Sequence, residues 1–276
     1  MKIRKQAADA LPLLLITAIL LVYVFPYLYL VLTSFKAPGD VLSVPPSLWP
    51  GRFSIENYVR IGDFPQIPQT FLNSAIIALM STVATLVLAV PAAYGISRFS
   101  TLVTRIFLIV ALGARMIPYV SIAIPLFFIM KTLGLTDTYF AVVVGHMTIN
   151  LPLAIWLMSS FMDGLPAELE EAARVDGCTR FSAFLRVILP ITTGGIAVTG
   201  IFSFLASWND LLFALFLTSV NAKTAPLAIA EFNSQYGVDW GTMTALATLF
   251  SLPVILVSLI LQRRIIAGAT AGAVKG

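Results

Sequence analysis

Apolar residues in this chain fall in long continuous runs, near 11–33, 71–97, 106–130, 139–161, 187–219 and 242–262. Each matches or exceeds the roughly 20 residues that an α-helix needs to cross a hydrocarbon layer. The runs are continuous rather than alternating, which predicts helices and argues against a membrane β-barrel. The expectation is an all-α polytopic membrane protein with six transmembrane helices, forming one domain over residues 1–276 with no internal repeat and no separate soluble domain. Pro26, Pro91, Pro118, Pro125, Pro152 and Pro253 lie within the runs. Such prolines break the backbone ladder locally, and membrane helices tolerate them where neighbours satisfy the freed carbonyls.

Polar segments separate the runs. Residues 34–70 hold Pro38, Pro45, Pro46, Pro50, Pro65 and Pro68, interleaved with Trp49, Phe53 and Tyr58. This reads as a structured loop on the membrane surface, or as a contact surface for an external partner, with Glu56-Asn57-Tyr58 opening a short helix. A second loop, 220–241, carries Asn233, Gln235, Tyr236, Asp239 and Trp240. A third polar interruption is 163–190, read below.

Composition agrees. Hydrophobic residues make up 59% of the chain and charged residues 11%, at a mean hydropathy of +0.94. A soluble domain of this length needs more charge to cover its surface. The net charge of +4 reflects basic loops rather than affinity for nucleic acid. With the N-terminus inside, Lys2, Arg4, Lys5, Arg98, Arg105, Arg174, Arg180, Arg186, Arg263, Arg264 and Lys275 become cytoplasmic. Lys36, Arg52, Arg60, Lys131 and Lys223 become external, and both termini are expected in the cytoplasm. The first run follows a basic start but exceeds the apolar stretch of about 7–15 residues in a cleaved signal peptide, so an uncleaved span is expected. The single cysteine, Cys178, has no intrachain partner and reads as a buried thiol without a chemical role.

The insert 163–190 reads as a bent helical knob. Pro166 suits a first helical turn, Asp163 or Gly164 suits the cap, and Glu168, Glu170 and Glu171 sit near the positive helix end. Leu165, Leu169, Ala172 and Ala173 are expected to share one face. Gly177 permits the left-handed backbone that ends a helix. A second short helix is expected from Thr179 or Ser182, with Phe181, Phe184, Leu185 and Ile188 on its apolar side. Small side chains at Ala172 and Ala173 admit a close partner surface, and Glu171 can reach a basic or amide donor. The plainer alternative is an amphipathic hairpin lying on the bilayer.

The insert is similar to the EAA loop of permease subunits from binding-protein-dependent ABC importers. That pattern is EAA, three residues, G, nine residues, I, one residue, LP. Here it runs Glu171-Ala172-Ala173, Gly177, Val187, Leu189-Pro190, with Asp176 before the glycine as in the carbohydrate-importing branch. Val187 replaces the isoleucine. Ser34-Phe35-Lys36 and Trp208-Asn209-Asp210 resemble further motifs of the maltose-importer type. The ending Thr270-Ala271-Gly272-Ala273-Val274-Lys275-Gly276 resembles that of its second permease subunit.

The resemblance implies a sugar permease in a prokaryotic inner membrane that is not itself an enzyme and holds no cofactor. Its implied partners are a second, different permease, two ATPase subunits that bind ATP and magnesium, and an external solute-binding protein that delivers the sugar. Glu171, Ala172, Ala173, Asp176, Gly177, Leu189 and Pro190 would couple the pore to the ATPases, and the tail 270–276 would reach the ATPase dimer. The chain has no G-x-x-x-x-G-K-[ST] segment, so its energy source is expected on another subunit.

Four polar residues within the runs are candidates for the substrate pathway. Arg115 either positions a sugar hydroxyl or pairs with Asp210 or a helix carbonyl, because a midplane arginine costs about 2.5–3.5 kcal/mol on insertion scales. Asn209 and Asp210 could bind sugar hydroxyls while Trp208 stacks on a pyranose ring; interhelical hydrogen bonding is the slightly favoured alternative. His146, the only histidine, lies four residues before Asn150 on one helix face and reads as a packing residue rather than a proton relay. One histidine and one cysteine make no metal site. An ion-coupled secondary transporter is the competing reading. It would rest on Asp210 as a midplane carboxylate and would leave the insert unexplained. No nucleophile–base pair points to a membrane enzyme.

Overall fold

The structure, a computed structural model, describes residues 2–99, 101–234 and 237–271. Gln235, Tyr236 and the last five residues of the tail lie outside them. The chain divides into two compact units, residues 1–67 with 229–252 and residues 68–228 with 253–276.

The first unit contains α1 (Lys2–Ser34), α2 (Glu56–Ile61) and the loop between them. The side chains from Pro12 to Pro26 are all exposed, as an apolar span facing lipid or another subunit requires. At the end of α1 the polar groups turn inward. The Ser34 hydroxyl is 2.7 Å from the Tyr58 hydroxyl. The Asn57 amide donates to the carbonyls of Ser34 and Lys36. Lys36, 1% exposed, donates to the Ser47 carbonyl at 2.6 Å and lies over the Tyr29 ring. The expected short helix at Glu56 forms, and its Asn57 and Tyr58 fasten the loop to Ser34 and Lys36. A two-residue hairpin pairs Asn233–Ser234 with Gly237–Val238. In this unit Asp239 caps the next helix, accepting from the Thr242 backbone and hydroxyl.

The second unit is built around α3 (Ile67–Arg98), α4 (Leu102–Ala114), α5 (Tyr119–Thr132) and α6 (Tyr139–Asp163). The insert supplies α7 (Glu168–Val175), α8 (Arg180–Ala183), a π-helical stretch Phe184–Ile188 and α9 (Leu189–Ile191). Then follow α10 (Thr193–Trp208), α11 (Leu212–Leu217) and α12 (Ala225–Ala230); the last described helix, α13 (Trp240–Ala271), belongs to the first unit up to Leu252 and to the second from Pro253. One core joins Ile77, Leu126, Met130, Val142, Phe213 and Leu217. A second joins Val90, Ala93, Met158, Met162, Phe184 and Ile188. Close packing depends on two missing side chains. A Cβ on Gly145 would stand 2.6 Å from the Phe213 ring, and one on Gly195 would stand 2.7 Å from the Phe161 ring.

Among the described residues, four helices are long and apolar enough to cross a membrane, and the number reaches six when each of two bent pairs counts as one span. The bends correct the expectation of continuous spans at 106–130 and 187–219. Between α4 and α5 the chain turns by 93°. Pro118 lacks an N–H and disfavours helical backbone at Ile117, so the helix cannot propagate there. The fifth run turns by 74° between the Arg180–Ile191 segment and α10, after a π-helical stretch and Pro190. It stops being helical again at Asn209, before α11.

Side-chain contacts pair the loops of this unit. Asp137, before α6 with a positive φ of 58°, accepts from the backbone N–H groups of Ser219, Val220, Asn221 and Ala222. Partial burial opposes its charge. The backbone N–H groups of Asn221, Ser219, Ala222 and Val220 outweigh that and hold the carboxyl well below the usual carboxylate range. Asn73 at the start of α3 donates to the carbonyls of Asn221 and Lys223, so the 219–224 loop sits at that end of the unit.

Candidate functional site

The insert forms the bent knob that its spacing predicts, with a shorter first helix. Helix α7 begins at Glu168 after an uncapped Ala167. Pro166 therefore lies outside the helix, and Asp163 and Gly164 belong to the end of α6. At the other end the chain closes as expected. Gly177 has φ +91°, the Cys178 N–H donates to the Ala173 carbonyl, and the Gly177 N–H donates to the Arg174 carbonyl. These two bonds make a Schellman closure, which needs the left-handed residue that glycine supplies without a Cβ clash. Thr179 then caps α8 through the Ser182 N–H.

The buried face differs from the expected one. Glu170 and Ala173 point inward, at 8% exposure each, while Leu169 is 37% exposed and Ala172 is exposed. In the following helix Ala183, Phe184 and Ile188 are buried, whereas Phe181 and Leu185 are exposed. A buried glutamate is what hydropathy spacing alone misassigns. Glu170 is paid for by a partner elsewhere in the chain, Arg98 at the end of α3, with Nε 3.2 Å from the carboxylate. A cleft of about 170 Å³ opens beside this pair, lined by Arg98, Phe99, Glu171, Arg174 and Arg180 among others.

The outward surface therefore carries Glu171, Ala172, Val175 and Asp176, all exposed. Ala173 is buried, Gly177 ends the helix, and Leu189-Pro190 begins the turn into α10. Cys178 is half-buried.

The candidate pathway residues are spread over two helix breaks. Arg115 forms the C-cap of α4 at the first break, and its Nε is buried without a hydrogen-bond partner. Trp208, 4% exposed, stacks on Phe204 with ring centroids 5.8 Å apart. Asn209 is exposed, and its amide donates to the Leu205 carbonyl. Asp210 is paired with His146 rather than Arg115, the Nε2–carboxylate distance being 3.2 Å. The same carboxylate oxygen accepts from the Phe213 N–H at 2.9 Å. The other ring nitrogen of His146 is 3.3 Å from the Ser81 hydroxyl. Asn150, one turn on, donates to the Ser207 hydroxyl and the Ser203 carbonyl. His146 and Asn150 thus bind α6 to α10 and its break, and His146 is 1% exposed.

Residues 85–269 match the family described as the binding-protein-dependent transport system inner membrane component. The chain is 40% identical over 232 residues to the trehalose transport system permease protein SugB of Mycobacterium tuberculosis, covering 83% of this chain and 85% of that one. It is 34% identical over 270 residues to the trehalose/maltose transport system permease protein MalG of Thermococcus litoralis, covering 96% of each. Among solved structures, a bacterial ABC transporter involved in import of the acidic polysaccharide alginate shares the fold. Its TM-score is 0.76 at 21% identity, over 94% of this chain and 96% of that one.

Proposed function

Because the chain belongs to the family of binding-protein-dependent transport system inner membrane components, we propose that it is the permease subunit of an ATP-driven importer for a di- or oligosaccharide. The sugar class rests on relatives named for trehalose, maltose and diacetylchitobiose transport. In this reading a second permease completes the pore, two ATPase subunits grip the two permease knobs, and an external solute-binding protein delivers the sugar. Both termini and the knob face the cytoplasm. The tail from 270 onward, whose last residues lie outside the described ones, reaches toward the ATPases.

The observation that carries the proposal is the shape of the knob. Its outer side presents a carboxylate, Glu171, next to the small Ala172, so a neighbouring subunit can approach the backbone closely. The left-handed Gly177 sets the bend, and the buried Glu170 and Ala173 hold the knob to the bundle. When ATP closes the ATPase dimer, the two knobs move together and the cavity opens outward; hydrolysis resets it. Asp210 and Trp208 serve the scaffold in this scheme, engaged with His146 and Phe204, and Asn209 at the break is the group left exposed to the pathway.

Reconstitution tests the proposal. The permease pair, ATPases and binding protein in proteoliposomes are expected to take up labelled trehalose or maltose only with ATP. Gly177→Val is expected to insert and assemble normally. Forcing a β-branched residue to a positive φ costs at least about 1–2 kcal/mol, enough to misplace the knob and reduce uptake while ATP hydrolysis continues. Uptake driven by a proton or sodium gradient without ATPase subunits would overturn the assignment.

A further inference from the structure

The knob is tied to the helices around it in two different ways. It is continuous with α6 and α10 through the backbone. It meets α3 only through side chains. Glu170 pairs with Arg98 at 3.2 Å, with 11% and 14% of the two side chains exposed. The Arg180 guanidinium lies 5.1 Å from the centre of the Phe99 ring. Phe184 packs on Tyr94 with centroids 4.7 Å apart. Of the three glutamates in α7, only Glu170 is buried, so the helix turns one charge to the bundle and two outward.

Helix α3 is one continuous helix of 32 residues with Pro91 inside it, about 48 Å long at 1.5 Å per residue. Its far end is also fastened to a loop. Asn73 donates to the carbonyls of Asn221 and Lys223, and the Ala225 N–H donates to the Ser74 hydroxyl at 2.8 Å. Between the two ends, Ser81 contacts His146 of α6.

We propose that the Arg98–Glu170 pair is a mechanical joint through which displacement of α7 enters α3, and that α3 carries the displacement to the 219–225 loop at its opposite end. The inference rests on the permease reading and adds to it a pair of positioning residues outside the surface offered to the ATPase. A partly buried ion pair suits such a joint. It resists separation because removing one member leaves the other charge without its partner in a poorly solvated place.

The test uses the complete importer in proteoliposomes with labelled trehalose or maltose, comparing wild type, Arg98→Met, Glu170→Gln and the exchanged pair Arg98→Glu with Glu170→Arg. Both single variants are expected to keep their ATPase subunits and hydrolyse ATP within about twofold of wild type, while sugar moved per ATP falls about tenfold. The exchanged pair is expected to recover sugar per ATP to within about threefold of wild type. An unchanged ratio in the single variants overturns the joint. So does loss of the ATPase subunits from those variants, which would make the pair a folding or docking element, and so does failure of the exchange to rescue. A wild-type complex that binds no ATPase subunit or shows no ATP-driven uptake overturns the permease reading itself, and the joint with it.

Discussion

At the residue scale, small groups of polar atoms hold this oily chain in place. Asp137 sits in a left-handed turn, a conformation its short polar side chain tolerates, and collects the N–H groups of the 219–222 loop. Its folded carboxyl is held below the ordinary range. The stabilisation is therefore complete above the ordinary carboxylate pKa, near 3.9, and fades only as pH falls toward the lower folded value. Asp137→Ala is expected to cost about 1 kcal/mol at neutral pH, scaled for its partial exposure. It is also expected to speed hydrogen exchange at Ser219–Ala222, with the wild-type loop equally protected at pH 7 and pH 5. Loss of protection in wild type already at pH 5 would count against this account.

At the element scale, the breaks in the helices matter more than their lengths. Pro118 ends one helix, Pro190 follows a π-helical stretch, and Asp210 receives the Phe213 N–H where α11 begins. Asp210 also binds His146, so the break after α10 is fastened to α6. Asp210→Ala is expected to lower stability by about 2 kcal/mol, within the range for leaving buried hydrogen-bonding groups without their partner, and Asp210→Asn by less because the amide oxygen still accepts the Phe213 N–H. Thermal unfolding in detergent measures both. Uptake KM for the sugar is expected to stay near wild type in Asp210→Asn; a clear rise in KM would restore Asp210 to the sugar pathway.

At the scale of the whole molecule, sidedness is the property most open to test. Arg98 and Phe99 meet Glu170 and Arg180, and Asp137 meets the 219–222 loop. Each pairing joins loops that the basic-residue asymmetry assigns to one side. Val175 is 87% exposed on the knob. In a Cys178→Ser background, Val175→Cys is expected to react with an impermeant maleimide in inside-out vesicles stripped of ATPase subunits. In intact spheroplasts it is expected to stay unlabelled. Labelling in spheroplasts would invert the topology.

The amino-acid sequence alone determined the membrane class, the approximate spans, and the bent knob with its glycine closure. These depend on composition and on spacing within a few residues, where hydrophobic transfer and backbone sterics act locally. Only the tertiary structure decided that Glu170 faces inward, that Asp210 takes His146 rather than Arg115, and that two spans are sharply broken. Those outcomes turn on side-chain partners 64 to 72 positions away and on how neighbouring helices satisfy carbonyls freed by proline. A local pattern places every glutamate on the wet side of a helix; whether one can be buried depends on an arginine that only folding brings beside it.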